Sequence, residues 1–172
     1  MRHWESAQRH AAACLAARLG EVLAAEDPDN WWRDFVLTAL SDNQRMAAAR
    51  RGSCRLDDLD LAALVSVAIG NANRLKAAGY GTNVLVPRLH AVKKARNDHA
   101  HAPASGMRPR EAVRHLQSCL DLFDELRWTD AARDEVTASW RAAAAEELAG
   151  AGAGTVAAGP AAGPAAGAAT AQ

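Results

Sequence analysis

Apolar side chains recur along this chain at intervals of three and four and nowhere alternate over the length of a strand, so each segment is built to bury one stripe of a helix. Trp4, Ala7, Ala11, Leu15, Leu19 and Val22 open the pattern, which predicts a helix over residues 3–25, stopped by Asp27-Pro28-Asp29. A second helical stretch starts at Asn30 with Trp31, Trp32, Phe35, Val36 and Leu40. Ser41-x-x-Gln44 has the form of a capping box that restarts a helix as far as Arg51, with Gly52 as its stop. Asp57-Asp58 suits the positive end of a helix dipole. From there Leu61, Leu64, Val65, Ala68, Ala72 and Leu75 carry one apolar face to Gly79.

Beyond the turn Tyr80-Gly81-Thr82-Asn83, Pro87 reads as a first-turn proline of a helix that passes Leu89, Val92 and Arg96 and ends near His101, closed by Pro103. Residues 104–108 read as a loop. Pro109 then opens a helix striped by Val113, Leu116, Leu120 and Phe123, and a last helix is expected from Thr129 to Leu148. No hairpin signal and no internal repeat interrupts this sequence of helices. The expected fold class is all-α, an up-and-down antiparallel bundle of five or six helices with a disordered C-terminal tail. Composition agrees, since 43 of the 172 residues are alanine, the best helix former.

Residues 149–172 form a separate expectation. They carry no charge but are almost wholly Ala, Gly and Pro, with Val156 their one large aliphatic side chain, so they can neither anchor in lipid nor build a core. The predicted division is a helical domain over 1–148 and a disordered tail over 149–172. The charged start Met1-Arg2-His3-Trp4-Glu5 has no targeting character, and no membrane partner is expected. Cys14, Cys54 and Cys119 are an odd, widely spaced set without C-x-x-C, which excludes a disulfide framework and the common zinc knuckles. They read as reduced thiols of a cytoplasmic protein, and neither a metal nor another cofactor is expected. Cys119 reads as a buried thiol, Asp57, Asp58 and Asp60 as a helix-start cluster, and Trp4, Trp31 and Trp32 as core or interface anchors.

The 20 basic and 20 acidic residues cancel, which removes any argument from overall basicity, but they are unevenly placed. Residues 85–115 hold seven basic side chains (Arg88, Lys93, Lys94, Arg96, Arg108, Arg110, Arg114) against Asp98 and Glu111, together with four of the six histidines. Residues 121–135 hold six acids against Arg127 and Arg133. One side of the bundle is therefore a candidate surface for a polyanion.

The densest cluster is Lys93-Lys94-Ala95-Arg96-Asn97-Asp98-His99-Ala100-His101. At ~100° per residue, His90, Lys94, Asn97 and His101 fall on one polar line, while Arg96 and His99 continue the core stripe of Leu85, Leu89 and Val92. Arg96 thus lies ~140° from His101 on one ideal helix, and the two converge only if the last turn unwinds, if the arginine curls round, or if a second subunit supplies one of them. A histidine in such a place can act as general base on a ribose 2′-OH or general acid on a leaving 5′-oxygen, with an arginine stabilising the phosphorane, and this needs no metal. The alternative has Arg96 capping carbonyls or pairing with an acidic neighbour, and the histidines solvated. Arg110 and His115 repeat the arginine-to-histidine spacing in a helix with an independent core stripe, and no site is assigned to them.

Arg96-Asn97-Asp98-His99-Ala100-His101 resembles the motif of the HEPN superfamily (higher eukaryotes and prokaryotes nucleotide-binding), in which Arg is followed by a polar residue and then by His four to six positions on. One branch accompanies a eukaryotic nuclear RNA-surveillance endoribonuclease and bacterial ATPases and helicases of phage-defence loci. Its members look similar in three further places: Trp31-Trp32, the acidic helix start Leu59-Asp60-Leu61-Ala62-Ala63-Leu64, and the Leu-rich helix from Ala112 to Leu126. The resemblance spans about residues 5 to 128. It implies a helical bundle that dimerises, with Arg96, Asn97 and His101 as catalytic residues of a metal-independent endoribonuclease in a cleft shared by two subunits. The basic surface around that cleft places His90, Lys93, Lys94 and Arg108 as RNA-binding residues. Other members only bind or scaffold, so a non-catalytic RNA- or protein-binding module is the alternative. The chain departs from the branch where Trp often stands two positions before the motif histidine. Here that residue is His99, either a packed substitute for the ring or the active histidine itself. No G-x-x-x-x-G-K-[ST] occurs, so a separate ATPase, helicase or inhibitor protein, the last as in a toxin–antitoxin pair, is the expected further partner.

Overall fold

The computed structural model describes residues 2–52, 54–101 and 107–156. Among the described residues seven α-helices carry the fold: α1 (Arg2–Glu26), α2 (Asp42–Arg51), α3 (Leu61–Gly70), α4 (Ala72–Ala77), α5 (Thr82–Ala100), α6 (Pro109–Glu125) and α7 (Ala131–Val156). A π-helical turn over Trp32–Val36, a 3-10 turn over Leu37–Ala39 and another over Leu56–Asp58 join them. The protein is an all-α bundle, and the described residues contain no strand.

The core follows the predicted stripes of α1, α3, α5 and α6 except at Val22 and Val113, which are only partly buried, and at Leu23, which is buried in place of Val22. Trp4, Ala7, Ala11, Leu15 and Leu19 of α1 are buried, and so are Leu61, Leu64, Val65 and Ala68 of α3, Leu85, Leu89 and Val92 of α5, and Leu116, Leu120 and Phe123 of α6. Fully removing the valine, leucine and phenylalanine side chains among them from water stabilises the fold by about 1.5–3 kcal/mol each. Helices α1, α3, α5 and α6 meet in this core, and α7 packs along α6 and α1.

Local signals set several boundaries. Gln44 N–H donates to Ser41 Oγ (3.4 Å) and Ser41 N–H to Gln44 Oε1 (3.0 Å), which completes the capping box of α2, and Gly52 ends that helix at φ +63°. Pro109 occupies the first turn of α6.

Other expectations are corrected. Residues 31–39 do not make a regular helix, because the chain passes through π and 3-10 geometry on its way to Leu40. Asp60, not Asp57 or Asp58, caps α3: its Oδ1 accepts from Ala63 N–H at 2.8 Å, while the other two lie in a 3-10 turn. The single face expected from Leu61 to Gly79 is broken at Asn71, which is 3 % exposed and donates from Nδ2 to both Val67 O and Phe35 O at 2.8 Å. Pro87 stands inside α5 rather than in its first turn. Pro87 and Asn83, whose carbonyl the missing N–H would have met, are both exposed, where a lost backbone bond costs less than it would in the core. Helix α7 runs to Val156, past the predicted end at Leu148 and into the segment assigned to the tail. Pro103, most of the 104–108 loop and the rest of the tail lie outside the described residues.

Candidate nucleic-acid groove at the end of helix α5

Helices α5 and α6 lie side by side, and their contact leaves an open groove of about 570 Å³ near the C-terminus of α5. From α5 it is lined by Lys94, Asp98 and His101, and from α6 by Glu111, Arg114, His115 and Ser118, with Met107 between the two. His101 is the C-cap of α5 and is exposed. The groove therefore combines an accessible imidazole with cations from two helices.

The carboxylates in it are already matched. Lys94 Nζ donates to Asp98 Oδ2 at 2.6 Å, which holds the Asp98 carboxyl below its ordinary range. Arg108 Nε donates to Glu111 Oε1 at 3.1 Å, a second guanidinium bond reaches the same oxygen, and Glu111 is likewise held low. His115 is 9 % exposed, and its Nε2 is 3.5 Å from Asp98 Oδ2. Burial lowers its pKa and outweighs the attraction of Asp98, so this ring is neutral at neutral pH.

A second layer fixes the end of α5 from behind. Trp4 of α1 sits with its ring centroid 5.2 Å from His115 and 6.2 Å from His99, edge-on to the latter. His99 is partly buried and lines a small hollow of about 80 Å³ with Trp4, Met107, Pro109, Ala112 and Leu116. Among the described residues, Trp4 Nε1, His99 Nδ1 and His115 Nδ1 are buried without a hydrogen-bond partner. His99 thus occupies the packed position that its place on the core stripe predicts, whereas His101 faces the groove.

The predicted residues do not all gather at one place. Arg96 turns toward the start of α3, where Nη2 is 3.3 Å from Asp60 Oδ2, and Nη1 donates to Asn97 Oδ1 at 3.3 Å. Neither Arg96 nor Asn97 lines the groove that holds His101. The ~140° separation on the helical wheel is thus preserved within one chain. His90 and Lys93 also lie off the groove, so the expected polar line His90-Lys94-Asn97-His101 contributes only Lys94 and His101 to it. Arg108 borders a neighbouring hollow with Arg110, Glu111 and Arg114. Arg88 is engaged by Asp121 at 2.5 Å, which narrows the basic surface to the adjoining ends of α5 and α6.

Of the residues that line the groove only Lys94 and His101 were assigned from the sequence, and Asp98, Glu111, Arg114, His115 and Ser118 were not. Glu111, Arg114 and Ser118 follow one another at intervals of three and four on the face of α6 opposite its core, and Lys94, Asp98 and His101 do the same on α5. Those two spacings were visible; the facing of the two helices was not. Cys14 and Cys119 are buried, and burial pushes each thiol up to about 12, while Cys54 is exposed. Among the described residues no group of three His, Cys, Asp or Glu side chains is placed to hold a metal ion, and no helix is long and apolar enough to cross a membrane. No known family, curated protein or solved structure matches the chain.

Proposed function

We propose that this chain is a metal-independent endoribonuclease that acts as a homodimer on single-stranded or looped RNA, in defence or RNA processing. The observation that supports it best is His101, an exposed histidine at the C-terminus of α5, in a groove whose carboxylates are satisfied by Lys94 and Arg108. In this reading His101 takes or returns the proton. The ribose 2′-oxygen attacks phosphorus, and the 5′-oxygen leaves as a hydroxyl, so the products are a 2′,3′-cyclic phosphate and a 5′-OH end. Arg96 stabilises the phosphorane from a second subunit, with Asn97 orienting it, because within one chain the Arg96 guanidinium is directed to Asp60. The resemblance of Arg96-Asn97-Asp98-His99-Ala100-His101 to the HEPN motif points the same way.

Incubating the purified protein with labelled RNA in EDTA tests the reading. Cleavage to cyclic-phosphate ends is expected, with His101→Ala slower by about two to four orders of magnitude and unchanged in fold. A wild type that binds RNA as His101→Ala does, and cuts none, supports a second reading, a non-catalytic RNA- or protein-binding module. The Arg96–Asp60 pair favours that second reading, since it keeps the motif arginine away from His101 in a single chain.

A further inference from the structure

Charge bookkeeping in the α5/α6 groove singles out one side chain. Of its cations, Lys94 is matched by Asp98, and Arg108 at its border is matched by Glu111. Arg110 beside it stands 4.0 Å from Glu147. His115 is neutral, for the reason given above. Arg114 is exposed, and among the described residues its guanidinium has no carboxylate or carbonyl partner; only its backbone carbonyl is engaged, by the Ser118 hydroxyl at 3.0 Å. It lines the groove with His101, and also the adjoining hollow of about 320 Å³ bordered by Arg108, Arg110 and Glu111. An unmatched guanidinium that lines two adjoining hollows presents five donors in a planar fork, the geometry that grips phosphate oxygens two at a time.

We propose that Arg114 holds a phosphodiester of single-stranded RNA in the groove, beside His101 of the same chain, and that Arg96 does not make this contact. The proposal rests on the reading of the groove as an RNA site. It adds the residue that anchors the strand, which the motif resemblance does not supply. Arg96 is poorly placed for the task, because a phosphate would have to displace Asp60, the cap of α3, from the flank away from His101. Arg114 displaces nothing. A phosphate on Arg114 sits in the groove that His101 lines, so binding and proton transfer take place in one chain even where Arg96 comes from another.

The test uses an uncleavable probe, a fluorescein-labelled 2′-O-methyl single-stranded RNA, and the full-length protein. Anisotropy titrations run from about 50 to about 200 mM salt. Arg114→Gln is expected to weaken binding by about tenfold and to flatten the dependence of log K on log salt by about one, as for the loss of one phosphate contact. Arg114→Lys keeps the charge and restores the slope while recovering only part of the affinity, because the fork is lost. Arg96→Gln stays within about twofold of wild type on this probe, because the role assigned to Arg96 is confined to the phosphorane and a 2′-O-methyl strand forms none. Thermal melts of all three variants, expected to match wild type because both side chains are at least partly exposed, separate binding from folding. If Arg96→Gln shows the loss and Arg114→Gln does not, the proposal is overturned and the RNA reading stands. If the wild type does not bind the probe, both fall.

Discussion

His115 Nε2 stands 3.5 Å from Asp98 Oδ2, and the same carboxylate oxygen accepts from Lys94 Nζ at 2.6 Å, so one exposed acid serves a buried imidazole and a surface ammonium at once. The arrangement couples the core to the groove. Trp4 closes on the His115 ring from α1, and Asp98, with a smaller share from Glu111, is what favours its charged form. Burial prevails, and the histidine binds its proton less readily folded than unfolded.

The pH dependence of stability follows from that sign. The unfolded chain takes up more protons at this residue than the folded one, so stability rises with pH through the window below the ordinary value of 6.5 and is lost as pH falls through the lower folded value. His115→Phe keeps an aromatic ring against Trp4 and cannot titrate. Melting curves from pH 8 down to pH 5 should show the wild type losing more stability on acidification than His115→Phe. Parallel losses in the two proteins would remove His115 as the cause.

Two glycines in helices offer a paired experiment with opposite signs. Gly20 lies inside α1, where an added Cβ meets only Leu56 Cδ1 at 3.8 Å, an ordinary contact. Gly20→Ala should raise stability by about 0.5–1 kcal/mol through helix propensity alone. At Gly70, the last residue of α3, the added Cβ would come within 2.7 Å of Ala39 Cβ, forcing the 3-10 turn off the helix. Gly70→Ala should therefore cost about 1–3 kcal/mol despite the same propensity gain. Chemical denaturation of both variants checks the pair. A stabilised Gly70→Ala would show that the turn yields freely.

Much of the fold was legible because its determinants are local. Ser41 and Gln44 satisfy each other across three residues, Gly52 and Pro109 act through their own backbone, and the stripes of α1, α3, α5 and α6 need only a 3.6-residue period. The break at Asn71 was not legible, since it depends on the Phe35 carbonyl, 36 residues away, which belongs to the π-helical turn. The extension of α7 to Val156 set helix-forming alanines against interspersed glycines, a balance that composition alone did not decide. The site divides in the same way. His101 and Lys94 share a helix face and could be placed from their spacing, but Arg114 and His115 join them only through the packing of α6 on α5.

The hollow beside His99 makes a prediction that separates the two histidines at the end of α5. The ring packs edge-on to Trp4 and borders about 80 Å³ of space, so His99→Ala enlarges a void behind the groove and should cost about 1–3 kcal/mol. A larger ring fills that space, and His99→Trp should melt within about 3 °C of wild type or above it. His101→Ala, at an exposed cap, should leave the melt unchanged. Thermal melts of the three variants decide. Loss of stability in His101→Ala and none in His99→Ala would reverse the two assignments.

The separation of Arg96 from His101 leads to the prediction on assembly. Arg96 is directed at Asp60 from one flank of α5, and His101 opens into the groove on another, so a single chain does not present both to one phosphate. If both act on the same phosphorane, two chains must meet so that the Arg96 of one approaches the groove of the other. Sedimentation at micromolar concentration should therefore show a dimer. Breaking the Arg96–Asp60 pair by Asp60→Asn would free the guanidinium at small cost, since the side chains of both partners are more than a third exposed and such pairs contribute about 1 kcal/mol or less. Mixing inactive Arg96→Gln with inactive His101→Ala then supplies the decisive measurement. A mixed dimer holds one site with both groups intact, so cleavage should return to about a quarter of the wild-type rate when equal amounts assort at random. A mixture as inactive as its components would mean that Arg96 and His101 do not work together across two chains.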